Sequence, residues 1–167
     1  MTEQAETQSE IVARYASGIQ AVDDALAGLT EADLDLARAE DKWTIREIVH
    51  HIADAEDLWE IAIKSAMGNC GCLFDVSWYI IDNKWAEPLH YATRPVDEAL
   101  ALYRAIRRQV LELLEHVPDV WEKYVLFHWA NPDEANEWTV GDIVTWQSRH
   151  VMIHVEQIRE TREVHGK

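Results

Sequence analysis

The run TIREIVHHIADAEDLWEIAIKSAM, residues 44–67, carries apolar side chains at Ile45, Ile48, Val49, Ile52, Ala55, Trp59 and Ile63. Intervals of three and four put them on one stripe of a helix, because about 3.6 residues make a turn. The stripe stops at Gly68, where glycine can take the left-handed conformation that ends helices, so a helix is expected from Thr44 to about Met67. Working outward, the same periodicity recurs. Ile11, Tyr15, Ile19, Val22 and Leu26 mark a first helix of about 24 residues. Val96, Ala99, Leu100, Tyr103, Ile106, Val110, Leu113, Leu114 and Val117 mark a third, with Pro95 in its first turn and Pro118 just past its end, positions that tolerate proline. A fourth runs from Thr139 to about Glu163. The only strand-like run, VSWYII at Val76–Ile81, would lack a partner. An all-α four-helix bundle is therefore expected. Between Gly68 and Pro95 lie 26 residues, enough for a long crossover between helices two and three, which gives up-down-down-up; up-down-up-down would need no such length.

With 167 residues and 48% apolar content the chain reads as one domain, residues 1–167, with a real core and no need of disulfides. Its 31 acidic and 15 basic residues leave a formal charge of −16, which repels phosphate backbones and anionic headgroups, and no basic run offsets it. No nucleic-acid partner is expected. The start MTEQAETQSE is polar and no segment approaches the ~20 apolar residues of a span, so no membrane partner and a cytoplasmic location are expected. Cys70 and Cys72, in NCGC, are too close for an ordinary disulfide and lack the second pair of a four-cysteine zinc site; they read as two small residues in a turn. Eight tryptophans are several times the usual number, and Trp78, Trp85 and Trp129 fall in expected loops, which points to an aromatic-lined cleft or a subunit contact.

Helices two and four open alike, as Trp43-Thr44-Ile45-Arg46-Glu47-Ile48-Val49 and Trp138-Thr139-Val140-Gly141-Asp142-Ile143-Val144. In each, the threonine hydroxyl can accept from the backbone N–H three residues on while the acid there reaches back to the threonine N–H, a capping box worth about 1 kcal/mol. Each tryptophan can pack on the isoleucine one turn into the helix.

Of eight histidines, His90 and His128 fall in expected loops, His116 closes helix three and His165 is in the tail; no function is assigned to these four. His150 and His154 stand four residues apart, which places two imidazoles on one helix face about 6 Å apart, within reach of one cation. A third ligand must come from another helix. His51 qualifies, lying next to the Ile48/Ile52/Ala55 stripe, whereas His50, about 100° further round, should face a neighbouring helix edge or solvent. The competing reading makes His150 and His154 ordinary, partly buried histidines bonded to carbonyls or carboxylates. Val151 follows His150, so the H-E-x-x-H zinc-protease signature is absent.

The stretches KWTIREIVHHIADAE and WTVGDIVTWQSRHVMIHVEQI resemble the two signatures of the DinB-like superfamily, including its YfiT-like metal-dependent hydrolases. That resemblance implies an up-down-down-up bundle with one divalent metal, usually zinc or nickel, on three histidines that map onto His51, His150 and His154. It also implies a small-molecule substrate, frequent homodimers and, for some members, S-transfer with a low-molecular-weight thiol. Three neutral imidazoles leave a divalent ion an open position, where water could be brought toward a pKa of ~7 or a thiol toward its thiolate. For the general base, Asp54 can share a face with His51, Glu56 is close in sequence, and Glu156 should point away from His154. Each could equally fix an imidazole tautomer or be a solvated acid. Three classes stay open: a metal-dependent enzyme, a metal-binding protein without chemistry, and a helical interaction domain without metal.

Overall fold

A computed structural model describes residues 6–78, 85–129 and 135–167. Its frame is four helices: α1 (Gln8–Leu26), α2 (Ile45–Gly68), α3 (Asp97–His116) and α4 (Val140–His165). The repeated start signal forms as expected. Thr44 N–H donates to Glu47 Oε2 at 2.8 Å while Glu47 N–H donates to Thr44 Oγ1 at 3.2 Å, and Thr139 and Asp142 exchange the same two bonds at 3.0 Å each. A third box, Thr7 with Glu10, opens α1.

Contacts along the helices set their directions. Near the start of α2, Arg46 Nη1 donates to Arg94 O just before α3, and further on Lys64 Nζ donates to Gln109 Oε1 at 2.6 Å, so α2 and α3 run parallel. Arg104 of α3 pairs with Asp23 of α1, whereas Arg107 reaches back to Tyr15, so α1 opposes α3. Arg14 meets Ser148, and Arg162 meets Ala25, so α4 runs with α1. The order is up-down-down-up, with α2 and α3 joined by the long crossover.

Several local expectations change. α1 is 19 residues long, shorter than the period had implied, and Pro95 precedes the cap Val96 instead of lying inside α3. Gly68 is the last helical residue of α2, and the left-handed glycine is Gly71, where a Cβ would meet the Tyr124 ring at 3.3–3.6 Å. Val76–Trp78 are not a strand, and residues 79–81 lie outside the described residues. A small sheet forms elsewhere: β1 (Leu73–Asp75) pairs in parallel with β2 (Tyr124–His128), which pairs antiparallel with β3 (Asn136–Thr139). It went unread because three- to five-residue strands give too few alternations to register as period two. His128, expected in a loop, ends β2, buried, with Nδ1 3.0 Å from Asp75 Oδ1.

The core has two apolar clusters. One, around Leu58, Trp59, Ile63, Val110, Phe127 and Ile143, lies beside the sheet. The other, around Ile45, Ile48, Ile52, Tyr103, Val151 and Val155, lies at the opposite end. Between them, drawn from all four helices, sits a buried polar layer. Arg107, with no exposed side-chain surface, donates from Nε to Glu56 Oε2 at 3.1 Å, from Nη1 to Tyr15 O at 2.6 Å and from Nη2 to Gln147 O at 3.1 Å. Gln147 in turn donates to Ala55 O at 3.1 Å, and the Tyr15 hydroxyl donates to Glu56. One guanidinium of α3 thus ties α1, α2 and α4 to its own helix.

Candidate metal centre

His51 comes from the second turn of α2, and His150 and His154 come from α4, which passes antiparallel beside it. Their rings meet. His51 Nε2 is 3.3 Å from His150 Nε2, and His154 Nε2 is 3.0 Å from the same atom. One nitrogen from each ring falls within a 4.8 Å span, and no cysteine or carboxylate among the described residues joins the group. Ring centroids are 4.5–5.2 Å apart and every pair is edge-on.

Such an approach of three nitrogens has a proton problem. The Gln157 carboxamide oxygen lies 3.0 Å from His154 Nδ1; taken as accepting from Nδ1–H, it leaves the His154 Nε2 lone pair pointing inward. His150 Nε2 then faces two neighbours and owns at most one proton, so it cannot serve both contacts. A cation that takes a lone pair from each ring resolves this. The spacing fits, because two nitrogens about 2.05 Å from a tetrahedral ion are about 3.3 Å apart.

Electrostatics keep the rings neutral, the form that ligates. Burial, followed by the neighbouring His154, lowers His51 to a pKa of about 3. Burial, then His154, His51 and Arg107, lowers His150 to about 2. His154 is also lowered, by burial first and by the Arg38 charge, against the hydrogen bond it makes to the Gln157 oxygen.

Two indoles flank the group. Trp43 lies 4.6 Å from the His51 ring, and Trp146 stacks on His150 at 4.6 Å with planes 13° apart. Trp146 continues into Trp59, which stacks on Phe127 and Trp138. Trp129 belongs to the same aromatic group, 4.8 Å from Phe127, so this loop tryptophan packs at the core edge. Trp78 is more than half exposed and stacks on Trp85 at 5.9 Å.

The remaining sequence candidates go elsewhere. His50 is buried against the segment before α3, with Nε2 3.3 Å from Arg94 O and its ring stacked on Tyr91. Asp54 accepts from the Tyr91 hydroxyl on that same side. Glu56 is the buried partner of Arg107, and Glu156 is exposed with Arg159 3.6 Å away. His116 Nδ1 is bonded to Glu112 O at 2.9 Å, and His165 Nε2 to Ala37 O at 2.9 Å. Cys70 and Cys72 are free thiols beside a turn. Reasoning from sequence missed Gln157, although its place three residues after His154 was a usable signal, and it missed Arg107, whose partners are too distant in the chain to be inferred.

Comparisons with known proteins bear on the family and the fold. The sequence model described as the DinB superfamily matches residues 14–158. A protein of Bacillus mycoides (strain KBAB4) named "Putative metal-dependent hydrolase" is 27% identical over 137 residues, covering 81% of this chain and 76% of its own. One of the same name from Geobacillus thermodenitrificans (strain NG80-2) is 21% identical over 176 residues, covering 97% and 90%. Among solved structures, YfiT from Bacillus subtilis, described as a probable metal-dependent hydrolase with an unusual four-helix bundle topology, superposes with a TM-score of 0.82 at 19% identity, over 99% of this chain and 93% of that one. A mycothiol-dependent maleylpyruvate isomerase superposes with a TM-score of 0.69 at 16% identity, over 95% of this chain and 66% of that one.

Proposed function

Because this chain belongs to the DinB superfamily, we propose that it is a metal-dependent hydrolase of a small molecule, with one divalent ion held by His51, His150 and His154. The observation that carries the reading is the convergence of three imidazoles within a 4.8 Å span, where His150 Nε2 lies 3.3 Å from His51 Nε2 and 3.0 Å from His154 Nε2 and, with the His154 tautomer set by Gln157, cannot serve both contacts with one proton. A divalent ion bound there supplies Lewis acidity, which makes water nucleophilic near neutral pH. The protein's own part is positional. Gln157 holds the His154 tautomer, Trp43 and Trp146 confine the rings of His51 and His150, and burial keeps all three imidazoles unprotonated. Zinc and nickel both suit an all-imidazole set.

A second reading, transfer to a low-molecular-weight thiol, is favoured by the mycothiol-dependent structural neighbour. The same ion would then favour a thiolate over a thiol. Substrate screens run with and without added thiol separate the two.

The test of the centre itself is elemental analysis and zinc or nickel titration after chelation. Stoichiometric uptake is expected, lost in H150A and H154A. Wild-type protein that takes up no metal removes the proposal. Unchanged unfolding stability with lost turnover in those variants assigns the ion to catalysis, while a large fall in stability assigns it to the scaffold.

A further inference from the structure

Beside His154 opens a cleft of about 230 Å³ lined by Arg38, Asp41, Lys42, Trp43, His154 and Gln157. All but the last two come from the connection between α1 and α2, which an isolated backbone bridge between Ala37 and Thr44 closes at its base. On a chain of net charge −16, two basic groups against one acid make this wall locally positive. Arg38 is the unusual member. Its side chain is 23% exposed, its nearest acid is Glu160 with Nε and Oε2 3.5 Å apart, and its Nη1 is buried with no hydrogen-bond partner. A buried donor left unmet is costly, and Glu160, itself half exposed, does not meet it.

We propose that this cleft is a subsite for the carboxylate of a small organic acid, with Arg38 and Lys42 holding the anion and the Trp43 ring bordering its carbon skeleton beside His154. A guanidinium presents a planar fork that matches a carboxylate, and a wall with two positive charges and one negative suits a monoanion better than a phosphate dianion. The inference names the substrate class for the site proposed above and rests on that reading for its chemistry, but the subsite belongs to the polypeptide and is measurable without the ion.

The experiment is isothermal titration calorimetry of sodium benzoate, neutral benzamide and inorganic phosphate into chelator-treated and metal-loaded protein. Saturable benzoate binding is expected in both, at least tenfold tighter than benzamide and tighter than phosphate. R38Q should weaken benzoate at least tenfold without lowering the melting temperature. E160Q, which frees Arg38 from its distant acid, should tighten benzoate at least twofold. Equal affinity for benzamide, tighter binding of phosphate, benzoate unaffected by R38Q, or benzoate no tighter in E160Q overturns the subsite. Benzoate bound only by the metal-loaded form and indifferent to R38Q places the carboxylate on the ion and also overturns it. Metal uptake without benzoate binding sinks this inference and leaves the metal centre standing; Arg38-dependent benzoate binding in a protein that takes up no metal does the reverse.

Discussion

Replacing Arg107 by methionine tests how the two halves of the core are held in register. The change removes the donors to Glu56, Tyr15 O and Gln147 O and leaves the Glu56 carboxyl, whose side chain is 3% exposed, with the Tyr15 hydroxyl as its remaining bond. Breaking one side of a buried pair typically costs about 3–5 kcal/mol. For a urea slope of about 2 kcal/mol per molar, the unfolding midpoint should drop by about 1.5–2.5 M, read by far-UV circular dichroism. Proton linkage adds a signature. Burial already raises the Glu56 pKa, with Arg107 the main opposing influence, so the variant raises it further. A carboxyl whose folded pKa exceeds its unfolded value stabilises below the unfolded value and loses that stabilisation as pH rises through the folded one. The deficit of R107M should therefore narrow between pH 7.5 and pH 5. Substituting both partners, R107M with E56L, removes the uncompensated charge and should recover at least half of the loss. A loss under about 1 kcal/mol in R107M, or a double variant no more stable than the single, refutes the reasoning.

At Gly18, an added Cβ would stand 2.2 Å from Arg107 Nη1 and 3.0 Å from Val151 Cγ1, and the guanidinium is pinned at all three nitrogens. G18A should cost about 1–3 kcal/mol in chemical denaturation despite alanine's better helix propensity, and R107M should relieve most of that penalty; strict additivity would show that the arginine yields freely. For the histidines the linkage runs the other way. His51 and His150 titrate at about 3 and about 2 in the fold against about 6.5 in the unfolded chain, so the unfolded state takes up protons first. Metal-free protein should keep this contribution above pH 6.5 and lose it steadily as pH falls toward 3, and its melting curves should show a shallower loss in H51Q and H150Q. Parallel pH profiles for the variants and wild type would contradict the neutral cluster. Metal affinity should likewise survive to lower pH than a free imidazole allows.

What could be read from the chain was whatever depends on neighbours in sequence. Periods of three and four, the two threonine boxes and the His150/His154 spacing are local, and the helices, their starts and one shared face for two imidazoles follow from them. The direction of α3 was also legible, because 26 residues between Gly68 and Pro95 say how far the chain can travel. Elements made by distant partners were not. β1 has three residues and exists because Leu126 and Phe127 present an edge to it, and Arg107 looks like any helical arginine until Tyr15, Glu56 and Gln147 close round it. Trp43 was read only as packing on the isoleucine one turn into α2; its place 4.6 Å from the His51 ring was not inferred.

The bridge between Ala37 and Thr44 separates two jobs within a few residues. Below it, α2 begins under its own threonine box, and nothing in the arch above needs to change for His51 to keep its place. Residues 38–42 can be lengthened, shortened or recoded while Trp43 and the imidazoles it borders stay put. Descendants of one ancestral bundle could then diverge in what they accept through that short arch alone, and grafting it between relatives is a direct route to exchanging their preferences.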